Sequence, residues 1–171
     1  MLIMDGMLDN HFINTLEHKT ADTLFRRVDS DTVDKLIKNE DTSISKLDDT
    51  QKDKLKGIIE KNIEKGRFSV IFENLSETEV PFLVVQPEFM RRMKDMSALG
   101  GGYMGLGNMP EFYNLVVNVN HPMMQAILDQ QEEENQDKLV CQLYDLALIS
   151  QNLLKGEKLT AFVKRSIEMI Q

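Results

Sequence analysis

Apolar residues crowd most of the circumference of a predicted helix near the end of the chain, between Leu139 and Leu154. A second helical pattern follows Lys155 and Gly156, with apolar residues recurring at three- and four-residue steps. A helix that is apolar on most sides must be buried on most sides, and a small domain has little other material to cover both helices. A second copy of the chain would cover them in an intermolecular four-helix bundle. The predicted dimer interface consists of Leu139, Leu143, Leu146, Ala147, Ile149, Leu153, Leu159, Phe162, Val163, Ile167 and Ile170.

Extended patterns in the middle of the chain predict a small sheet. Strands are expected near 68–75, 80–85 and 112–119, and the first two are close enough in sequence to form a hairpin. The third strand carries an unbroken apolar run, which suits the middle of a sheet. With helical patterns on either side, the chain is predicted to have an α+β fold, a small mixed three-stranded sheet packed by helices.

Two helix starts are marked by capping residues. Thr50 is a suitable N-cap for a helix that continues towards Gly66. Asn120 is the expected cap of a short helix whose first turn contains Pro122, and His121 belongs to the same helix start.

The first fifty residues differ in character from the rest. Residues 1–28 follow a strand-helix-strand pattern that opens abruptly with a strand at Leu2–Met4, which suggests the tail of a larger domain. Residues 29–49 are mostly polar and are predicted to be a linker. Residues 50–171 then form the C-terminal domain.

A methionine-rich amphipathic helix is predicted over residues 87–99. Phe89, Met93 and Met96 share one face, with Met90 beside them and charged residues on the other side. Such a stripe is ordinarily core. Flexible thioether side chains also suit a surface that binds many apolar partners, so both interpretations stay open.

The glycine-rich loop that follows contains Gly100, Gly102 and Gly105 in the spacing of a dinucleotide-binding fingerprint. That motif requires a strand before it and a helix after it, whereas here a helix precedes and Pro110 with a strand follows. A flexible loop is the simpler interpretation. A nucleotide-dependent enzyme that uses this loop is kept as an alternative.

No catalytic or metal centre is evident in the sequence. His11, His18 and His121 form no ligand pair at three- or four-residue spacing. The single cysteine, Cys141, lies in an apolar helix and is expected to be a small core residue. The chain is therefore predicted not to be an enzyme and to bind no cofactor or metal.

Charge and hydropathy exclude two further classes of partner. Twenty-eight acidic against twenty basic residues give a net charge of −8, which argues against general nucleic-acid binding. No apolar run is long enough to span a membrane, and no signal peptide opens the chain. We expect a cytoplasmic protein.

Four segments resemble one protein family. They are LIMDGMLDNHFINTLEHK, PEFMRRMKDMSALGGG, YNLVVNVNHPMMQAILD and KLVCQLYDLALISQNLLKGEKLTAFVKRSIEMI. Together they are similar to the C-terminal region of the ninety-kilodalton heat-shock chaperones, bacterial HtpG type. Residues 1–28 resemble the end of the family's middle domain, and residues from about 50 onward resemble its dimerisation domain.

The resemblance implies a part of an ATP-driven, dimeric chaperone that binds unfolded client proteins. ATP and magnesium would bind in an N-terminal domain that this chain lacks, so the chain alone should have no ATPase activity. Asn10 and His11 match part of the client-facing surface, although the family can carry a larger aromatic residue there. The residues that the resemblance assigns to client binding are Phe89, Met90, Met93, Met96, Leu99 and His11. A stand-alone dimeric scaffold or adaptor without chaperone activity is the alternative function.

Overall fold

The computed structural model describes residues 9–20, 23, 25, 45–99 and 111–170. Within them lie six helices and a three-stranded mixed sheet, so the predicted α+β class is confirmed. The helices are α1 (Asp9–Lys19), α2 (Asp49–Asn62), α3 (Glu88–Leu99), α4 (Pro122–Asp129), α5 (Glu133–Ser150) and α6 (Glu157–Ile170), and the strands are β1 (Phe68–Glu73), β2 (Phe82–Val85) and β3 (Tyr113–Asn118).

The chain divides into two compact units. The first unit contains α1 and α3, and the second contains the sheet with α2, α4, α5 and α6. The amphipathic helix α3 therefore groups with the leading helix α1, from which it is distant in sequence.

The sheet has the strand order β1-β3-β2. β3 runs parallel to β1, with Phe68 opposite Tyr113, and antiparallel to β2, with Phe82 opposite Val117. The central place of β3 is confirmed, but the predicted hairpin between β1 and β2 is wrong. Both strands pair with β3 instead, one along each of its two edges, and the buried side chains of β3 suit this central place.

The main core of the second unit lies between one face of the sheet and the helices. Leu55 and Ile59 of α2, Met124 and Ile127 of α4 and Val140 of α5 are completely buried there. Each such side chain stabilises the fold by about 1.5–3 kcal/mol relative to an exposed position. The core therefore fixes α2, α4 and α5 on the sheet.

Helix α2 begins two residues earlier than the sequence suggests, so the predicted Thr50 cap is wrong. Asp48 is its N-cap: its Oδ1 accepts from the Gln51 N–H at 2.7 Å, and Gln51 Oε1 accepts from the Asp48 N–H at 3.0 Å. This reciprocal pair is a capping box, which outweighs the single cap offered by Thr50. Leu47 is buried in the same core, so the end of the polar segment 29–49 packs with the second unit. Gly66, at φ +81°, lies in the turn after the helix.

Helix α4 begins at His121 and not at Asn120. The Met123 N–H donates to His121 Nδ1 at 3.1 Å, and Pro122 occupies the first turn. The predicted Asn120 cap is wrong because that side chain has other partners. It accepts from the Lys46 N–H at 2.9 Å and donates to the Leu75 carbonyl at 3.1 Å.

Several predicted features lie outside the described residues. They are the strand at Leu2–Met4, most of the segment 23–28, the linker over 29–44 and the glycine-rich loop from Gly100 to Gly107. Among the helices that the structure describes, none combines the length and the hydropathy required to cross a membrane.

Candidate interaction surfaces

Helix α6 presents an apolar face that its own chain does not cover. None of its residues is buried, although it is strongly amphipathic in sequence. Leu159, Val163, Ile167 and Ile170 are all exposed, Ile170 by 84%. Their spacing of four, four and three residues puts them on one side of the helix. We call these four residues the α6 apolar face. Leu146 of the adjacent α5, 47% exposed, and Met169 of α6, 46% exposed, are further exposed apolar residues on the terminal helix pair.

The eleven residues predicted to form a dimer interface divide into three groups. Leu143 and Ala147 are buried in the core of their own chain. Four are half-buried against that core, namely Leu139, Ile149, Leu153 and Phe162. The remaining five are Leu146 and the α6 apolar face. Helix α5 is therefore covered largely by its own chain, whereas α6 is not.

A polar network connects α6 to α5. Arg165 Nε donates to Gln142 Oε1 at 2.8 Å, and its Nη2 donates to the Asp145 carboxylate and to the Cys141 carbonyl. Gln142 in turn donates to Ser166 Oγ at 2.8 Å. The Arg165 and Asp145 side chains are mostly buried, so water competes weakly for this ion pair. The network fixes which side of α6 faces outward.

Cys141 is half-buried and lies outside the described core cluster, so it is not the core residue that was expected, and its Sγ donates to Asn62 Oδ1 at 3.6 Å. Burial raises the pKa of its thiol, which keeps the sulfur protonated. Reactive cysteines have a lowered pKa, so this thiol is not activated for nucleophilic chemistry.

The first unit exposes aromatic side chains on both of its helices. Phe89 on α3 is 68% exposed and Phe12 on α1 is 55% exposed, with His11 also exposed. Met90 and Met93 are half-buried. Met96 and Leu99 lie on α3, but their side chains are outside the described part of the structure. Phe89, the first apolar residue of α3, is therefore not a core residue in this chain.

Helix α3 is joined to α1 by one arginine. Arg92 Nε donates to Glu88 Oε1 at 2.9 Å, and Nη1 donates to Asn14 Oδ1 at 3.0 Å and to Glu17 Oε2 at 2.8 Å. Nη2 donates to Glu17 Oε1 at 3.1 Å and to the Phe25 carbonyl at 2.8 Å. All five N–H groups of the guanidinium are thus used. We call this set of residues the Arg92 network.

The electrostatics of the Arg92 network stabilise its charged forms. The hydrogen bonds from Arg92, together with one from the Phe25 N–H, lower the pKa of Glu17. The bond to Glu17 in turn raises the pKa of Arg92. Both side chains are about four-fifths buried, and one oxygen of Glu88 is buried without a partner. Removing the cation would leave two closely held carboxylates in a partly desolvated place.

Neither Arg92 nor Arg165 is singled out by the sequence pattern. Glu88 and Arg92 are spaced at i, i+4 on one helix, which is a visible signal for a pair. Glu17 lies 75 residues from Arg92, a separation that no local spacing reveals.

Over residues 9–20, 45–99 and 111–170, no three His, Cys, Asp or Glu side chains are grouped so that they could hold a metal ion. Burial lowers the pKa of His121, which caps α4 in its neutral form.

Comparison with known proteins identifies the relatives of this chain. No family model matches the chain. The HtpG chaperone of Porphyromonas gingivalis is 37% identical over 164 residues, which cover 92% of this chain and 24% of that protein. The HtpG chaperone of Bacteroides fragilis is 30% identical over 237 aligned positions, covering 99% of this chain and 35% of that protein. That of Bacteroides thetaiotaomicron is 29% identical over the same length.

The α+β fold and these matches place the chain among the ninety-kilodalton heat-shock chaperones. Within that class, the chain corresponds to a C-terminal region of the bacterial HtpG chaperones, as the resemblance in the sequence predicted. The chain spans about a quarter to a third of the length of the curated relatives that it matches.

Proposed function

We propose that this chain is the homodimerisation module of an ATP-dependent molecular chaperone, and that it also contributes a surface for client proteins. The observation that carries the proposal is the α6 apolar face. Four aliphatic side chains in one row are exposed on a helix with no buried residue. A soluble protein that exposes such a row has a partner to cover it.

A second copy of the chain is the partner that fits best. In a two-fold dimer the same patch serves both sides, so one apolar face covers its own twin. Burying each of the four side chains contributes about 1.5–3 kcal/mol, and both copies contribute. Together with α5 of each chain, two α6 helices would form the predicted four-helix bundle. The polar network of Arg165, Gln142, Asp145 and Ser166 supports this arrangement, because it holds α6 against α5 with the α6 apolar face outward.

The first unit would supply the contact with clients. Phe89 is exposed at the start of α3, and Met90 and Met93 follow it half-buried. Unfolded proteins present many different apolar segments, and adaptable methionines beside an aromatic residue suit such a range. His11 on α1 is exposed in the same unit and is kept in the predicted client-binding set.

The function proposed for the chain is mechanical and requires no chemistry of its own. A dimer joined through α6 holds two protomers at high effective concentration, so that the remaining domains of a longer chaperone can close and reopen with the ATP cycle. ATP and magnesium would act in those domains, in the bacterial cytoplasm. We assign no cofactor to this chain.

The dimer is tested by the molar mass of the purified chain in light scattering, over a dilution series from about 100 μM to about 0.1 μM. A mass of twice 19.7 kDa at every concentration is expected. A monomer throughout would overturn the proposal. Binding of a permanently unfolded test protein then separates a chaperone module from a scaffold that only dimerises. A dimer that binds no such protein would be the scaffold.

A further inference from the structure

Helix α3 is held to the rest of the first unit through its polar edge. Glu88 and Arg92 lie one turn apart on that edge. Arg92 connects the edge by hydrogen bonds to Asn14 and Glu17 of α1. Phe89 follows Glu88 directly in sequence, yet its side chain is mostly exposed. The bonds that position α3 are therefore polar and leave its most exposed apolar residue free for another molecule.

The guanidinium is saturated, which makes Arg92 hard to replace. Its two contacts to Glu17 form a planar bidentate pair, and the remaining three donors reach a second carboxylate, an amide oxygen and a backbone carbonyl. Lysine has three donors on a flexible stem and could not reproduce this geometry. Without a cation, Glu17 and Glu88 would be two carboxylates of like charge on neighbouring helices, and their attraction to Arg92 would become mutual repulsion.

We propose that Arg92 is a positioning residue for client binding: by fixing α3 on α1 it presents the residues of both helices as one surface. Arg92 need not touch the client. The proposal rests on the client-binding role proposed above. It predicts that affinity for an unfolded chain depends on a charged group that points away from the bound segment.

The test compares Arg92→Gln with Lys19→Gln, which removes the same charge from an exposed position of α1. Two quantities are measured on the purified chain: hydrogen exchange of the backbone amides of α3, and the dissociation constant for a permanently unfolded test protein. For Arg92→Gln we expect α3 exchange to accelerate at least about tenfold and the dissociation constant to rise about tenfold. Lys19→Gln should change both much less.

Two further variants separate positioning from general damage. Glu17→Gln should reproduce the Arg92→Gln effects, and the double variant should be little worse than either single one, because both remove the same interaction. Arg92→Lys keeps the charge and should retain part of the affinity. It also serves as the milder variant if Arg92→Gln does not fold. The dimer mass should stay unchanged in all of them.

Three results would overturn the inference. The first is unaltered α3 exchange in Arg92→Gln. The second is faster exchange with unaltered affinity. The third is additivity of the Arg92 and Glu17 substitutions. Phe89→Ser separates this failure from a failure of the proposed function. If Phe89→Ser keeps full affinity, α3 does not contact clients, and both the client-binding role and the role of Arg92 are wrong. If it loses affinity while Arg92→Gln does not, only the role of Arg92 is wrong.

Discussion

Helices α3 and α6 are both amphipathic, and both expose apolar residues while an arginine joins them to a neighbouring helix. They differ in how regular the exposed face is. The α6 apolar face is a row of four aliphatic residues at helical spacing. In α3, Phe89 is exposed and Met90 and Met93 are half-buried. A regular aliphatic row suits one permanent, self-complementary partner, whereas an aromatic residue with flexible thioethers suits many transient ones.

The two arginines show that exposure alone does not define a binding surface. Arg165 pairs with Asp145, and Arg92 pairs with Glu17, each in a mostly buried setting. A mobile helix would lose conformational entropy when a partner bound it, whereas a helix fixed in advance has lost it already. In both units the polar contacts orient the helix and leave apolar residues exposed.

The largest effect is expected from Leu143→Asp compared with Leu146→Asp. Leu143 is 8% exposed inside its own chain, so a carboxylate there should unfold the second unit, at a cost of several kcal/mol. Leu146 is exposed, so the same change there should leave the monomer folded and weaken the dimer. Circular dichroism measures folding and light scattering measures mass. An unfolded Leu146→Asp variant would contradict the distinction.

Val163→Asp is expected to produce a folded monomer. The carboxylate would be buried in the centre of the α6 pairing without a counter-charge, which costs several kcal/mol and raises the dissociation constant by more than about a hundredfold. Sedimentation equilibrium measures that constant. Lys164→Asp is the matched control, because it introduces the same side chain at the next, also exposed position. Equal dissociation constants in the two variants would show that α6 does not lie in the interface.

A smaller effect is expected for Arg165→Gln. Loss of the ion pair leaves Asp145 mostly buried without its cation, which costs about 1.5–3 kcal/mol and lets α6 depart from its orientation on α5. The dimer should weaken about tenfold while client binding by the first unit persists. Measuring both constants in one variant shows whether the two arginines act independently.

Phe89→Ser should weaken binding of an unfolded test protein by about tenfold, since it removes one exposed aromatic contact. Phe112→Ser removes an exposed aromatic residue that lies outside α1 and α3, and it serves as the control. Fluorescence anisotropy of a labelled test protein gives both affinities. Equal losses of affinity in the two variants would indicate nonspecific binding by exposed aromatic residues and not a surface centred on α3.

The smallest effect is a difference in acid sensitivity between the two units. Burial lowers the pKa of His121 below its usual 6.5, so its contribution to stability is complete above pH 6.5 and is lost as the pH falls through the lower folded-state pKa. Arg92 lowers the pKa of Glu17 below 4.5, so the Arg92 network is complete above pH 4.5 and is lost only further down.

Hydrogen exchange during acidification should therefore accelerate in α4 before it accelerates in α3. His121→Asn supplies a cap that does not titrate and should abolish the first transition. Exchange that accelerates in α3 first would contradict this order.

Periodicity predicted the features that depend on neighbours in sequence. The apolar row of α6, the central strand β3 and the start of α4 near Pro122 were all evident from spacing. Features that depend on distant partners were not. The hairpin was wrong because β1 and β2 each pair with β3, and the Asn120 cap was wrong because that side chain bonds Leu75 and Lys46. The Arg92 network was not predicted for the same reason, since Glu17 lies 75 residues from Arg92.

The strand order also has a consequence for synthesis on the ribosome. Phe68 of β1 pairs with Tyr113 of β3, which lies 45 residues later in the chain, and β2 pairs with the same strand. At about 5–20 residues per second, both strands stay without their partner for a few seconds after they are made. During that interval their open edges are templates for pairing with other nascent chains. Insertion of β3 completes the sheet in one step, so the second unit should fold late, only after β3 at Tyr113–Asn118 has been translated.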